Sequence, residues 1–418
     1  MNKTLAIIGL GYVGLPLAIE FGKFYPTLGF DIDTKRIQEL QNHHDKTGQI
    51  SKKDFQDSKQ LSFHSQSSIL QEVQIYIITV PTPLDKFKNP DISYLLNASK
   101  MIAPFLKKGD IVIYESTTYP TCTRGDCVPV LEQHSKLKCD RDFFVGYSPE
   151  RISPSDPAHQ LTQVLKITSG STPEVAEEIN ALYSSIITAG TYLAPSIEVA
   201  EMAKAIENAQ RDLNIAFINE VAMLCDKLEL STNAVLEAAK TKWNFLDFSP
   251  GLVGGHCISV DPYYLTHKAQ ELGFHTRVIS SGRLVNDAMP HFIAHKFIKL
   301  LSQNPIPLSQ TKILILGITF KENCKDIRNS KVFEVAKELQ DFGCEVHLLD
   351  PLAEPQEVLK LTDCPFYTSA NECTLCFDGI LAAVAHSCFQ ELSLDPYTHQ
   401  KTIIYDLKAM LESAHARL

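Results

Sequence analysis

The sequence lacks a long apolar run, an internal repeat and a low-complexity tract. None of its hydrophobic segments reaches the roughly 20 residues that a bilayer-spanning helix needs, so we expect no membrane association. The apolar N-terminus runs directly into a glycine motif, which is not the organisation of a signal peptide. An excess of positive charge is also absent: the formal net charge is -10, which argues against nucleic acid or an anionic membrane as a partner.

A disulfide framework is missing as well. The eleven cysteines are an odd number without paired spacing, which is typical of free thiols in a reducing compartment. Cys373 and Cys376 form a lone C-x-x-C with Cys364 nearby, but a zinc site would need a second ligand pair at suitable spacing. We therefore expect a cytoplasmic protein without a metal.

The composition is that of a soluble globular chain with more than one core. Of the 418 residues, 44% are hydrophobic and 21% are charged. Residues 4–9 are predicted to form a buried strand and residues 14–24 a helix, and the segments 73–83 and 110–117 are further apolar runs. Strands that alternate with helices indicate a doubly wound parallel sheet.

Two later segments complete the predicted architecture. Residues 196–230 contain neither glycine nor proline and have helical apolar spacing, so we expect one long helix. After a Pro-containing linker, a second strand–loop–helix–strand unit ends at Asp350. The predicted fold is α/β, with two Rossmann-like parallel-sheet domains joined by a long helix and a helical domain. The predicted boundaries are 1–195 for the first Rossmann-like domain, 196–305 for the helical domain with the cysteine loop, and 306–418 for the second Rossmann-like domain.

A glycine loop follows the first strand. Its G-x-G-x-x-G spacing suits a tight turn, close approach of a pyrophosphate and tight helix packing. The loop residues expected to contact a dinucleotide are Gly9, Gly11, Tyr12, Val13 and Gly14. Asp31 follows the second strand, about 20 residues on, where a carboxylate binds ribose hydroxyls and repels a 2′-phosphate. This predicts NAD rather than NADP. Arg36, which we also place at the cofactor, weakens that preference only slightly; the alternative is a plain turn with a solvated aspartate.

The segment 251–265 reads GLVGGHCISVDPYYL and places Cys257 directly after Gly254, Gly255 and His256. Paired glycines allow backbone conformations closed to other residues and let a ligand approach. From these residues alone, Cys257 is either a nucleophile or a small apolar filler beside a tight turn.

Eight motifs, in order along nearly the whole chain, resemble those of the nucleotide-sugar 6-dehydrogenases, the superfamily acting on UDP-glucose and UDP-N-acetylhexosamines. They are GLGYVGLPLA, GFDID, VPTP, ESTTYP, YSPERI, AEMAKAIENAQRDLNIAFINE, GLVGGHCISVDPYYL and GITFKENCKDIRNS. The segment around Cys257 is most similar to the branch that oxidises UDP-N-acetylglucosamine or UDP-N-acetylgalactosamine for bacterial capsule and O-antigen polysaccharides. UDP-N-acetylmannosamine and UDP-glucose are the alternative substrates.

The resemblance implies a four-electron oxidation at C6 of the sugar with two NAD+. It assigns Cys257 as the nucleophile, because oxidation of an aldehyde by hydride transfer needs a covalent tetrahedral adduct, for which a thiolate is well suited. Asp261 would position water or relay a proton, although a capping carboxylate is the alternative. Ser259 stands where close relatives often have glycine, and we expect little consequence.

The same resemblance assigns the other catalytic groups. Lys204 and Asn208, one helical turn apart, would hold the developing oxyanion. Glu150 would be the base for thioester hydrolysis and Thr117 would hold the water. The alternatives are a solvated lysine and an ion pair between Glu150 and Arg151.

Binding residues also follow from the resemblance. Thr82, Thr117 and Arg328 are expected at the NAD cofactor. The UDP-sugar substrate is expected to contact Glu150, Arg151, Lys204, Asn208, Asn244, Phe245, Gly251, Gly254, Phe320 and Lys321. A homodimer through the long helix is the expected assembly.

Two departures from the family pattern concern water activation. Pro154 replaces a second glutamate of the UDP-glucose enzymes, which argues against plain UDP-glucose, and Thr121 replaces the usual glycine after ESTTYP. Two other functions stay open: a two-electron hydroxyacid dehydrogenase, which would need neither Cys257 nor a second nucleotide domain, and a non-catalytic nucleotide-sugar binding protein.

Overall fold

Two sheets of short apolar strands organise the chain. The computed structural model describes residues 3–152 and 159–418, so Pro154 lies outside the described residues. The chain divides into two compact units, Met1–Glu207 with Tyr263–His275, and Asn208–Pro262 with Thr276–Leu418. The division into three domains at residues 195 and 305 stays a prediction.

The first unit contains an eight-stranded sheet with the order β3-β2-β1-β4-β5-β6-β7-β8. Its strands are β1 (Leu5–Ile8), β2 (Thr27–Phe30), β3 (Leu61–His64), β4 (Ile75–Ile78), β5 (Ile111–Tyr114), β6 (Phe144–Tyr147), β7 (Lys166–Gly170) and β8 (Thr191–Leu193). All neighbours are parallel except β6 and β7. The order of the first six strands is that of dinucleotide-binding sheets, which confirms the doubly wound prediction.

Helices cover this sheet, so its central strands are buried on both faces. They are α1 (Gly14–Gly22), α2 (Thr34–Gln41), α3 (Lys52–Asp57), α4 (Ser93–Ile102), α5 (Val128–Ser135) and α6 (Pro173–Ser184). One core cluster joins Ile7 and Ile77 of the sheet to Leu17 of α1 and Ile179 of α6. Every residue of β1, β4 and β5 is buried, as the continuous apolar runs predicted.

The predicted long helix is present as α7 (Ile197–Leu228). It is followed by α8 (Thr232–Lys240), α9 (Asp261–Glu271) and α10 (Arg277–Leu301). Among the described residues, no helix combines the length and the apolar character that crossing a bilayer would require.

The second unit contains a six-stranded, all-parallel sheet with the order β11-β10-β9-β12-β13-β14. Its strands are β9 (Lys312–Leu316), β10 (Glu345–Leu349), β11 (Phe366–Tyr367), β12 (Gly379–Ala382), β13 (Ile403–Asp406) and β14 (Ala416–Arg417), with helices α11 (Val332–Asp341) and α12 (Pro355–Val358). Alternate residues of β9 enter opposite cores, with Ile313 and Ile315 on one face and Leu314 and Leu316 on the other. This is the second nucleotide-type unit that the sequence predicted.

Candidate active site

The glycine loop has the geometry that a dinucleotide requires. Gly9 has a φ of +96°, a conformation that side chains rarely adopt, and a Cβ at Gly14 would lie 1.8 Å from the carbonyl oxygen of Gly9. A Cβ at Gly11 would meet no atom within 4 Å, so the backbone there is open to a ligand. The helix α1 begins at Gly14 and offers its N-terminal amides to a phosphate. These residues fit a bound NAD pyrophosphate.

Asp31 lies directly after β2, at the carboxyl edge of the sheet. Its Oδ2 accepts a hydrogen bond from the Leu10 amide at 2.8 Å, and its Oδ1 accepts one from the Asp33 amide at 2.9 Å. Arg36 is buried; it donates to the Leu10 carbonyl at 3.1 Å and to Asp45 at 2.9 Å. Both side chains therefore hold the glycine loop, and their contacts with the cofactor remain a proposal.

Thr82 and Thr117, predicted at the cofactor, are brought together across the first unit. The Thr82 hydroxyl donates to the carbonyl oxygen of Thr117 at 2.8 Å. The carbonyl of Thr82 in turn accepts from the Tyr264 hydroxyl at 2.7 Å. These bonds fix the two loops that follow β4 and β5 at the carboxyl edge of the sheet, where ligands of doubly wound folds bind.

Glu150 belongs to a buried charge network that the sequence analysis missed. Lys166 is 2% exposed, Glu115 1% and Glu150 9%. The Lys166 ammonium donates to Glu115 at 2.8 Å and lies 3.5 Å from Glu150 Oε2. The Tyr183 hydroxyl also donates to Glu115. A single buried cation thus bridges two buried carboxylates, and the lysine is the first residue of the short strand β7.

The electrostatics of this network depend on Lys166. Burial raises the pKa of Glu115 above its ordinary value, Lys166 opposes that rise, and the nearby Glu150 carboxylate adds to it. The Oε1 atom of Glu150 accepts the amides of Arg151 and Ile152, both at 2.6 Å. The Arg151 guanidinium pairs with Glu207 at 2.9 Å and not with Glu150. Among the described residues, the predicted Glu150–Arg151 contact is therefore a backbone hydrogen bond.

Thr121, which stands where the family pattern has glycine, has a backbone conformation that favours glycine. Its φ is +79°, a left-handed conformation that costs a non-glycine residue about 1–2 kcal/mol. The Thr121 and Thr123 amides donate to Glu201 of α7 at 2.6 and 2.9 Å. Burial raises the pKa of Glu201 to about 7, against the opposing hydrogen bonds from these amides. A buried carboxylate therefore holds the loop at the position where Thr121 has its left-handed conformation.

The two predicted oxyanion residues lie on α7, four residues apart. Lys204 is buried at 6% exposure, so it is not the solvated surface lysine of the alternative interpretation. In the second unit, the Asn208 amide donates to Asp261 Oδ2 at 2.5 Å. Asp261 is also buried, and its backbone amide donates to the Cys257 carbonyl at 2.8 Å. The structure thus joins Asn208, Asp261 and Cys257 in one continuous set of bonds.

The cysteine loop is clamped by a buried asparagine that the sequence analysis did not identify. Asn219 of α7 accepts from the Gly251 amide at 2.7 Å and donates to the Gly251 carbonyl at 3.0 Å. It also donates to Asn286 of α10 at 2.8 Å. Gly251 is buried, whereas Cys257 at the other end of the loop is exposed. An exposed thiol on a fixed loop is accessible to a substrate, which a buried apolar filler would not be.

The loop of residues 320–329, here called the nucleotide clamp, carries the predicted binding residues Phe320, Lys321 and Arg328 and packs against Gly254 and Gly255. A Cβ at Gly255, whose φ is +84°, would lie 2.7 Å from a ring carbon of Phe320, and one at Gly254 would lie 2.6 Å from the Asn329 carbonyl. The Asn329 side chain donates to the Gly255 carbonyl at 3.2 Å. The two loops are therefore one structure within the second unit, and only glycine allows their close approach.

One of the positive charges in the nucleotide clamp, that of Arg328, is balanced by Asp326. Arg328 donates to both oxygens of Asp326, at 2.9 and 2.6 Å. Burial raises the pKa of Asp326, but the hydrogen bonds and charge of Arg328 outweigh burial and leave that pKa below its ordinary value. The Lys321 ammonium lies 5.9 Å from the centre of the Phe320 ring. The clamp thus presents cations and an aromatic face on one loop.

The structure gives less support to the predicted substrate contacts of Asn244 and Phe245. They lie in the turn after α8, where Asn244 is exposed and Phe245 is half-buried. Within residues 3–152 and 159–418, no hydrogen bond joins Asn244 to Gly251 or Gly254. Their substrate contacts remain a prediction.

An aspartate follows a strand in each sheet, Asp31 after β2 and Asp350 after β10, but the two side chains lie in different environments. Asp350 follows β10 and accepts from the Ile318 amide at 2.7 Å, as Asp31 accepts from Leu10. Unlike Asp31, it is fully buried, and His386 lies 3.0 Å away. Because the Asp350 carboxylate is buried, it is not accessible to a ribose hydroxyl.

The chain matches three family models along its length. Residues 3–187 match the NAD binding domain of the UDP-glucose/GDP-mannose dehydrogenase family, residues 198–288 its central domain, and residues 314–413 its UDP binding domain. The first match confirms the predicted NAD cofactor, and the third supports a UDP-sugar as the small-molecule substrate.

Individual relatives and solved structures agree with these matches. The UDP-N-acetyl-D-glucosamine 6-dehydrogenase of Pseudomonas aeruginosa is 48% identical, with 98% of each chain covered. The enzyme of the same name from Salmonella typhi is 47% identical over 99% of this chain and 98% of the relative. The UDP-D-ManNAc dehydrogenase of Pyrococcus horikoshii superposes with a TM-score of 0.89 at 28% identity, covering 99% of this chain and 98% of that one. The resemblance drawn from the motifs is confirmed, and the chain belongs to the UDP-glucose/GDP-mannose dehydrogenase family of NAD-dependent nucleotide-sugar dehydrogenases.

Proposed function

We propose that the chain oxidises C6 of a UDP-N-acetylhexosamine, UDP-N-acetylglucosamine or UDP-N-acetylgalactosamine, to the uronic acid for capsule or O-antigen synthesis. The observation that carries this proposal is the exposed Cys257, held on a clamped loop and linked through Asp261 to Asn208. The choice of an N-acetylhexosamine is supported by the names of full-length relatives that are 48% and 47% identical.

Cys257 is the proposed nucleophile. Its thiolate adds to the C6 aldehyde, and the resulting thiohemiacetal carries the hydrogen that leaves as hydride to give a thioester. Bound NAD+ supplies the hydride acceptor, once for the alcohol and once for the thiohemiacetal. Water then attacks the thioester carbonyl, the carbon–sulfur bond breaks, and the carboxylate and the Cys257 thiol are released. Four electrons leave the sugar in total.

Lys204 and Asn208 are the proposed partners of the C6 oxygen. An ammonium and an amide aimed at that atom stabilise the alkoxide and the tetrahedral states, in which negative charge develops. The burial of Lys204 supports this role, because an ammonium acts most strongly on charge where water is excluded. The bond from Asn208 to Asp261 orients the amide, and Asp261, whose backbone amide donates to the Cys257 carbonyl, is the proposed group that relays a proton or positions water.

Glu150 is the proposed base for thioester hydrolysis, with Thr117 holding the water. Lys166 acts as a positioning residue, since it lies between Glu150 and Glu115 and keeps two carboxylates in one buried place. The amides of Arg151 and Ile152 fix the other oxygen of Glu150. A carboxylate held in this way keeps its direction while it accepts a proton from water.

The proposed substrate contacts are those of the clamp. Lys321 offers charge to the diphosphate and Phe320 offers its ring to the nucleotide, while Arg328 reaches a phosphate or the cofactor, in a chain that is acidic overall. These proposed contacts are supported by the packing of Phe320 on Gly255, and Gly255 lies two residues before Cys257.

A homodimer in the cytoplasm is the proposed state. Within the first unit, α7 exposes Val199, Met202 and Ile206, three apolar side chains at helical spacing, which supports an interface along that helix. The ten cysteines other than Cys257 are free thiols, in keeping with a reducing compartment. Light scattering of the purified chain tests the dimer; a monomer at micromolar concentration would contradict it.

The function is tested by measuring NADH release with UDP-glucose, UDP-N-acetylglucosamine, UDP-N-acetylgalactosamine and UDP-N-acetylmannosamine, together with the product mass. We expect two NADH per sugar and an acid product with an N-acetylhexosamine. One NADH per sugar would instead indicate a two-electron dehydrogenase, and turnover of UDP-glucose alone would overturn the substrate proposal.

A further inference from the structure

Three potential metal ligands meet at the surface of the second unit, on the seam between α10 and α11. His291 and His295 are four residues apart on α10, and Glu338 comes from α11. One ligand atom of each lies within 4.8 Å of the other two. The two histidines are exposed and the glutamate is half-buried. None of the functions described above uses this cluster.

The backbone beneath the cluster is fixed. Ile293 and Phe297 of α10 and Val335 and Leu339 of α11 belong to one buried core, so the two helices hold their relative position. The imidazoles of His291 and His295 stack with 3.8 Å between ring centroids. Residues four apart share a helix face, so both rings point to the side where Glu338 stands. The ligand spacing is therefore set by packed helices rather than by a loop.

The three side chains are not engaged by other polar groups in the part of the chain that the structure describes. Over residues 3–152 and 159–418, the structure gives the side chains of His291, His295 and Glu338 no hydrogen bond or ion pair; their contacts are the ring stack and the edge of Phe342 against His295. By contrast, Glu334 on the same helix is paired with Lys331 at 2.6 Å. A half-buried carboxylate that faces two imidazoles, and that forms no ion pair within the described residues, is available to a metal ion.

We propose that His291, His295 and Glu338 bind one divalent transition-metal ion of the zinc class and thereby join α10 to α11. Two imidazoles and a carboxylate are ligands that Zn²⁺ accepts, whereas Mg²⁺ and Ca²⁺ prefer oxygen alone. With metal–ligand bonds of about 2.0–2.2 Å, tetrahedral ligands stand roughly 3.4 Å apart, so the side chains must close by at most about 1.5 Å. Exposed side chains make this movement by rotamer adjustment. Solvent completes the coordination, and the bound ion stabilises the folded second unit by mass action.

The test is calorimetric titration of the untagged chain with ZnCl₂, in parallel with thermal unfolding. Because exposed thiols also bind zinc, the titrations use a Cys257→Ser, Cys376→Ser, Cys388→Ser background. We expect one Zn²⁺ per chain, a rise of a few degrees in unfolding temperature, and no response to MgCl₂. The single changes His291→Ala, His295→Ala and Glu338→Gln should each weaken binding at least about tenfold, since each removes one of three ligands.

His267 and Glu271 offer a matched control. They are also four residues apart on a helix, with His267 Nε2 3.3 Å from the carboxylate, but Glu271 is already paired with Lys268. His267→Ala should therefore leave zinc affinity unchanged. Equal zinc affinity in the His291→Ala chain and its parent would overturn the site. Equal zinc affinity after Glu338→Gln would overturn the three-ligand site, because only the two histidines would then bind the ion. With its thiols intact, a His295→Ala chain should keep full dehydrogenase turnover, so the outcome is separate from that of the proposed function.

Discussion

Replacing Lys166 with methionine gives the sharpest test of the buried network in the first unit. The change keeps the length of the side chain but removes the cation that lies 2.8 Å from Glu115 and 3.5 Å from Glu150. All three residues are at most 9% exposed, so water does not replace the lost charge. Removing one partner of a buried pair costs about 3–5 kcal/mol, and we expect Lys166→Met to lower the free energy of unfolding by that amount.

A second substitution separates charge from shape. Because the pKa of Glu115 is raised by burial and by Glu150 and lowered by Lys166, Glu115 is left as an uncompensated acid when the lysine is lost. Adding Glu115→Gln to Lys166→Met should restore about 0.5–3 kcal/mol, the usual range of coupling between residues in contact. Lys138 is the matched control: its pair with Glu132 is exposed, and Lys138→Met should cost less than about 1 kcal/mol.

The measurement is equilibrium urea unfolding, with hydrogen exchange of β5 and β7 assigning the transition to the first unit. Thioester hydrolysis is followed in the same variants by acid formation after a single turnover. Lys166→Met should slow it, because Glu150 loses the group that holds one of its oxygens. The reasoning is refuted if Lys166→Met costs no more than Lys138→Met, or if Glu115→Gln restores nothing.

Four further predictions follow from the site. Cys257→Ser should reduce acid formation by about 10³-fold or more while NAD and UDP-sugar affinities stay near normal; full turnover would remove the thiol from the mechanism. Lys204→Ala should lower kcat by about 10²–10³-fold with little change in substrate affinity, as for loss of an oxyanion donor, and a loss in binding alone would contradict this. Burial raises the pKa of Glu201 from an ordinary 4.5 to about 7 in the folded chain, so its contribution to the free energy of unfolding is present below pH 4.5 and is lost as pH rises through 7. The loss is on the order of 3 kcal/mol. A curve of unfolding free energy against pH for Glu201→Gln should lack that fall. Gly255→Ala, which must displace Phe320, should raise KM for the UDP-sugar and leave NAD affinity unchanged, whereas equal effects on both would disprove the link between the two loops.

The sequence determined the features that depend on local order along the chain. The glycine spacing predicted the dinucleotide loop because each glycine meets a requirement within a few residues of itself, as Gly14 does against Gly9. The absence of glycine and proline predicted α7 within two residues of its observed ends. The eight motifs spread along the chain indicated the family, which the three domain matches confirmed.

Only the tertiary structure decided which distant residues meet. Lys166 and Glu115 are 51 residues apart and come together because β5, β6 and β7 are neighbours in the sheet. The hydrogen bonds between Asn219 and Gly251 likewise join residues 32 positions apart. The packing of Phe320 on Gly255 also depends on the fold, which brings two loops distant in sequence into contact. Periodicity in a sequence reports which face of an element is buried but not which element covers it. A lysine in a strand or an asparagine in a helix therefore acquires its role only when the fold gives it a partner.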